Sequence, residues 1–289
     1  MAVIVLVSAS GSPGVTTAAV GLALSWPRPV LLVEANPTGG SSILAGYLRG
    51  TLPPGDSLID LVFAHRDGTL VDAIPGLCTP IPGPGVTLLP GTRAHGQARS
   101  LGALWEPLTA ALHSVDALGQ DVIVDAGRLG LAGFPEPLVY GGDCTLLVTR
   151  TNLVALSGAR SWAQTLHRGF EEQGALASLG LLLVGEGSPY GAREVSTVLA
   201  VPVTASVAWD DASARVFAHG APAPRKFGSR PLVRSLRAAT TAIQDRLGAT
   251  RPASIGAAGS AMAGLAPPAP THPAAVLNGY ASTKHGGNR

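Results

Sequence analysis

The sequence predicts an α/β protein built on a doubly wound, mainly parallel sheet. Three observations carry that prediction. Short, uninterrupted apolar runs rich in Val, Ile and Leu recur along the 289 residues, as expected of strands buried on both faces. Segments with helical apolar spacing separate them, as the crossovers between parallel strands require. The first run, Val3 to Val7, feeds a turn of Gly, Ser and Pro and then the helix-forming string Thr16-Thr17-Ala18-Ala19-Val20. A turn of this kind gathers backbone N–H groups near the positive end of a helix dipole, a place suited to a phosphate.

That turn comes close to the phosphate-loop pattern G-x-x-x-x-G-K-[ST], but without its lysine. In Gly11-Ser12-Pro13-Gly14-Val15-Thr16-Thr17 the glycines make the turn, Val15 stands where the lysine belongs, and Thr16 holds the hydroxyl position that serves Mg²⁺. These residues resemble the ParA/MinD group of deviant-Walker P-loop ATPases, whose loop reads KGGxGKTT. Ser10 falls on that group's early lysine, so both lysines are absent. GSPGVTT followed by VLLVEANPTGG further resembles a lysine-less actinobacterial branch of the group.

After a break at Pro27 to Pro29, Val30 to Val33 predicts a second buried strand that runs into Glu34-Ala35-Asn36-Pro37-Thr38-Gly39-Gly40. Ligands of open parallel sheets lie at the strands' carboxyl ends, which places Glu34 and Asn36 toward the loop. In the ParA/MinD pattern this segment reads D-x-D-P-x-G, and the resemblance makes Glu34 and Asn36 the degraded counterparts of its catalytic acids. An Asx and Gly turn accounts for the same string without any catalysis.

Residues 57 to 74 predict short helical pieces, Pro75 to Gly85 a loop, and Val86 to Leu89 a strand leaving through Pro90-Gly91. Leu101, Leu104, Trp105, Leu108, Leu112 and Val115 keep helical spacing. Asp121 to Val124 is a strand run that ends on Asp125, the Walker B pattern, where a carboxylate would hold Mg²⁺ together with Thr16. Further strands are predicted at residues 143 to 151 and Leu179 to Val184. Gly185-Glu186-Gly187 replaces the asparagine turn that meets adenine in the group. Helices follow from Leu153 and over Pro231 to Leu247. Residues 1 to 248 thus read as one P-loop NTPase-like domain, and the Ala/Pro/Gly-rich residues 249 to 289 as a disordered tail.

Composition narrows the function classes. The tail carries Arg251, Lys284 and Arg289 and no acid, so the formal charge of +2 hides a body of 17 basic and 18 acidic residues. Such a body does not advertise nucleic-acid binding as a whole. Cys78 and Cys144 form no metal or disulfide pattern, which suits a reducing cytoplasm, and no run reaches the roughly 18 apolar residues that a membrane span needs. The seven histidines show no ligand spacing.

Two functions follow from the resemblance. One is a nucleotide-binding positioning or partitioning protein that takes ATP or ADP with Mg²⁺ and hydrolyses weakly or only with a protein partner. The other is a pseudo-ATPase scaffold serving a partitioning, secretion or conjugation apparatus. Arg128 and Arg150 are candidates for replacing the lost charge, and a lysine-bridged nucleotide-sandwich dimer is not expected with Ser10 in place. Arg230, Arg234 and Arg237 share one stripe of the last helix, a candidate contact for DNA or an anionic membrane and a reason to place the protein at the periphery of nucleoid or membrane; a solvated helix face is the plainer reading.

Overall fold

The structure is a computed structural model that describes residues 2–52, 55, 57–114 and 119–250. Val115 of the predicted helix and the predicted tail from residue 251 onward lie outside the described residues. Eight strands form one sheet: β1 (Val3–Ser8), β2 (Val30–Glu34), β3 (Thr79–Pro80), β4 (Val86–Leu89), β5 (Asp121–Arg128), β6 (Cys144–Arg150), β7 (Leu179–Val184) and β8 (Val203–Val207). Their order is β3-β4-β2-β5-β1-β6-β7-β8, with every pair parallel except β3 with β4. The doubly wound α/β class read from the sequence is therefore the observed one.

Around the sheet lie α1 (Val15–Ser25), α2 (Asp60–Arg66), α3 (Leu70–Leu77), α4 (Trp105–Ser114), α5 (Glu136–Gly141), α6 (Leu153–Glu172), α7 (Ala192–Leu199), α8 (Asp211–His219) and α9 (Pro231–Thr250). Strand alternation divides the core between two faces. Val3, Val5 and Val7 of β1 point into a cluster with Trp105 and Leu108 of α4, Leu166 and Phe170 of α6 and Val195 of α7. Ile4 and Leu6 point the other way, onto Ala19 and Leu22 of α1, Phe217 of α8 and Leu236 and Ile243 of α9. A β1 with no polar side chain before Ser8 is what this double burial demands. The small residues of α1 serve close packing: a Cβ on Gly21 would lie 2.6 Å from Leu236 Cδ1.

The structure departs from the sequence reading at short elements. Helix α3 continues through Pro75, where a loop is expected; so near the helix end, the proline removes only the one bond that its own N–H would make to the carbonyl of Val71. Strand β3 is a two-residue antiparallel edge that includes Pro80, too short for a periodic signal and tolerant of proline because it is an edge. Helices α5 and α7 were not anticipated, being only 6 and 8 residues long. Residues 95–101, just ahead of α4, form a 3₁₀ segment.

Candidate phosphate-binding site

Strand β1 lies inside the sheet, between β5 and β6, so the loop that leaves it emerges at the middle of the sheet's carboxyl edge. The loop turns through three left-handed residues, Gly11 (φ 73°), Ser12 (φ 44°) and Gly14 (φ 100°). Gly14 precedes α1 directly in a conformation that a side chain disfavours, which leaves the first amides of α1 without a side-chain cap. Thr16 and Thr17 then present their hydroxyls from the first turn.

Asp125 is brought to Thr16 by register: it lies beside Leu6 of β1 and Glu34 of β2. Its carboxylate accepts a hydrogen bond from Thr16 Oγ1 at Oδ2 and one from Gly127 N at Oδ1, 3.0 Å. It is fully buried, and that burial pushes its pKa up to about 6. The Thr16 bond works against the rise, nearby Glu34 adds to it, and the Gly127 bond opposes it. The predicted Mg²⁺ pair, Thr16 and Asp125, is thus assembled in one place.

Two cavities flank the loop and share Ser12, Gly14 and Thr17. The first, about 350 Å³, is completed by Ser8, Val15, Thr16, Asn36, Thr38, Gly127, Arg128 and Leu131. The second, about 200 Å³, opens on the β6 to β8 side between Pro13, Arg150, Trp209, Asp210 and Asp211, with Leu232 and Leu236 of α9 behind. Gly11 makes the turn but is not among the residues lining either cavity.

At the lysine positions the side chains are placed elsewhere. Val15 is 7% exposed and belongs to the apolar cluster that contains α1, α8 and α9, although it also borders the first cavity. Ser10 packs on α6, where a Cβ on Gly158 would lie 2.1 Å from its Oγ. Asn36 borders the first cavity as expected; its Oδ1 accepts from Thr38 N at 3.2 Å, and its amide group lies against Gly127 (φ 68°). A Cβ on Gly127 would come within 2.5 Å of Asn36 Cγ and Oδ1.

Glu34 requires a correction. Its carboxylate does not line the cavity but accepts from Ser42 N (2.8 Å), Ser42 Oγ (3.0 Å), Ile43 N (3.3 Å) and Gly91 N (3.2 Å). With four donors on a side chain that is 2% exposed, it ties the β2 and β4 exits together. Arg230 also leaves the role expected for it. Its guanidinium grips Asp210 through Nε (2.9 Å) and a second nitrogen (2.5 Å), and Nε also reaches Ser213 Oγ at 3.0 Å. This bidentate contact holds the Asp210 carboxyl well below the usual range. Arg237 donates to Gly228 O at 3.1 Å, and Arg234 is exposed, so the arginine stripe is not one uniform free surface.

Trp209 is the lining residue that the sequence reading missed. It is 56% exposed, at the exit of β8, and carries the Arg150 guanidinium 4.4 Å from its ring centroid. A large aromatic in the turn Trp209-Asp210-Asp211, where Asp210 caps α8 through Ser213 N, was the available signal.

Known structures share this architecture. The cell division ATPase MinD of Pyrococcus furiosus superposes with a TM-score of 0.66 at 20% identity, over 84% of this chain and 98% of that one. The septum site-determining protein MinD of Pyrococcus horikoshii, complexed with Mg-ADP, gives 0.66 at 18% identity, over 86% and 98%. A singly substituted McdA of Cyanothece, in complex with ATP, gives 0.63 at 16%, over 84% and 96%. No family model matches the sequence, and no curated protein sequence does. The fold is therefore that of MinD-type ATPases, reached with little sequence identity. Among the described residues no helix is long and apolar enough to cross a membrane, and no three His, Cys, Asp or Glu side chains cluster as metal ligands.

Proposed function

We propose that this chain binds ATP or ADP with Mg²⁺ at the degenerate loop, in the manner of a ParA/MinD-like protein, and turns the nucleotide over weakly or only with a protein partner. The observation that carries this reading is the Thr16–Asp125 contact beneath a loop of left-handed residues. A hydroxyl and a buried carboxylate converge beside open amides, a combination with little structural purpose unless a cation and phosphate oxygens join it. The donor set fits Mg²⁺: hard oxygen ligands from Thr16 and Asp125, with the remaining positions left to phosphate and water. When bound, the ion would neutralise phosphate charge. The chain's own residues do the rest: loop amides hold the phosphate chain, Thr16 and Asp125 orient it, and Asn36 borders the place where a terminal phosphate would lie.

Slow turnover follows from what is missing. The loop contains no lysine, and Asn36 cannot serve as a carboxylate base. Losing one preorganised charge or donor commonly lowers a rate on the order of 10²-fold or more. The burial of Val15 favours the second reading, a pseudo-ATPase scaffold for a positioning, secretion or conjugation apparatus, because the lysine position has been given over to the core. Calorimetric titration with ATP, ADP and GTP, with and without Mg²⁺, separates the two. Micromolar binding that strengthens with Mg²⁺ supports the nucleotide reading, and no heat at millimolar nucleotide leaves the scaffold. A cytoplasmic protein working at a nucleoid or membrane surface is the setting this reading implies.

A further inference from the structure

The two cavities beside the loop each contain one arginine that forms no ion pair among the described residues. Arg128, at the end of β5, is exposed and borders the first cavity with Thr16 and Asn36. Arg150, at the end of β6, borders the second, and its Nε is buried without a hydrogen-bond partner. The acids of the second cavity have partners other than Arg150: Asp210 pairs with Arg230, and the exposed Asp211 with Arg215 at 2.9 Å. Among the described residues Arg150 is the one cation lining that cavity, and Trp209 stacks against it from one side.

We propose that Arg128 and Arg150 clamp the phosphate chain from opposite sides of the loop and together supply the charge that the missing lysines would have brought. This rests on the nucleotide reading above and names the groups that make it workable. Arg150 borders the cavity with Thr17 and the exposed Trp209, an aromatic surface that a base could meet, and is assigned to the inner phosphates, so it acts on diphosphates and triphosphates alike. Arg128 borders the cavity with Asn36 and Thr16, the hydroxyl assigned to Mg²⁺, and is assigned to the terminal phosphate, so it acts mainly on triphosphates. A guanidinium offers a planar fork to two phosphate oxygens, and stacking on Trp209 organises Arg150 before the ligand arrives.

The test is calorimetric titration of the full chain with ADP and with ATP, in parallel with tryptophan emission, for wild type, Arg128→Ala, Arg150→Ala, Arg150→Lys and Trp209→Phe. Circular dichroism and melting curves establish that each variant is folded. Arg150→Ala is expected to weaken both nucleotides roughly 10- to 100-fold, the range for hydrogen bonds to charged groups. Arg128→Ala should weaken ATP by a similar factor and ADP by less than about threefold. Arg150→Lys recovers only part of the loss because it keeps charge without the fork, while Trp209→Phe keeps the stack and most of the affinity. Wild-type binding with unchanged affinity for both nucleotides in a folded Arg150→Ala or Arg128→Ala overturns the clamp and leaves the nucleotide reading standing. No binding by the wild type overturns both.

Discussion

Replacing Gly127 by Ala probes the contact that joins the exits of β2 and β5. The added Cβ would sit 2.5 Å from Asn36 Cγ and Oδ1 and 3.0 Å from Nδ2, about 1 Å inside ordinary contact. Gly127 also holds φ 68°, a left-handed angle that costs a residue with a Cβ about 1 kcal/mol. Asn36 must move, giving up its 3.2 Å bond from Thr38 N at about 1 kcal/mol and taking on rotamer strain of about the same size. The sum is about 3 kcal/mol, which for a domain of this size lowers Tm by roughly 6 to 12 °C. Chemical denaturation of wild type, Gly127→Ala, Asn36→Ala and the double variant isolates the contact. The clash vanishes in the double variant, so it should be more stable than additivity predicts by about 1 to 2 kcal/mol, while the backbone cost remains. If the two substitutions prove additive within about 0.5 kcal/mol, the close approach of Asn36 to Gly127 is not what constrains this glycine.

Four further outcomes are expected. Asp125 binds its proton more tightly in the folded chain, up to about 6 against about 3.9 unfolded, so it withdraws stability as pH rises through that window; in ligand-free protein, Asp125→Asn should flatten the fall seen by melting curves between about pH 4 and 7. A fall of equal steepness in both proteins would show that the buried carboxyl is not its source. Asp210 is shifted the opposite way, and its stabilisation is present above about pH 4 and lost below; Asp210→Asn should therefore lower Tm at about pH 7 and by progressively less as pH drops under about 4, and a deficit independent of pH would contradict the Arg230 pairing. Val15→Lys, by placing an ammonium at the edge of the first cavity, is expected to tighten ATP binding about tenfold or more while costing about 1 to 3 kcal/mol of stability through lost Val burial, measured by calorimetry and urea unfolding; unchanged ATP affinity would mean that the position no longer faces phosphate. Light scattering should show no strong ATP-dependent dimer with Ser10 packed on Gly158, and a tight one would require a different crossing residue.

What could be read from the sequence was whatever local pattern and chain order determine. The unbroken apolar run of β1, the glycine turn and the acid ending the apolar run of β5 each depend on a few adjacent residues, and the parallel register then places Asp125 beside Thr16. The direction taken by Glu34 was not legible, because its partners come from Ser42, Ile43 and Gly91, positions united only by the folded β2 and β4 exits. Arg230 misled for a similar reason. Helical spacing counts it with Arg234 and Arg237, yet it precedes α9 and turns back twenty residues to Asp210. The stacking of Arg150 on Trp209 spans two strands that pair through β7, a relation no local pattern carries.

The position of β1 within the sheet means that different strands build each side of the site. The cavity with Thr16 and Asn36 draws on β2 and β5, to one side of β1, and the cavity with Arg150 and Trp209 draws on β6, β7 and β8, to the other. A substitution among the lining residues of one half therefore alters one cavity directly, while Ser12, Gly14 and Thr17 line both. Under mutation the two halves can drift at different rates. Side chains on the Thr16 and Asn36 side can change while Arg150 and Trp209 stay in place on the other, and Ser12, Gly14 and Thr17 are the positions where a change alters the lining of both cavities.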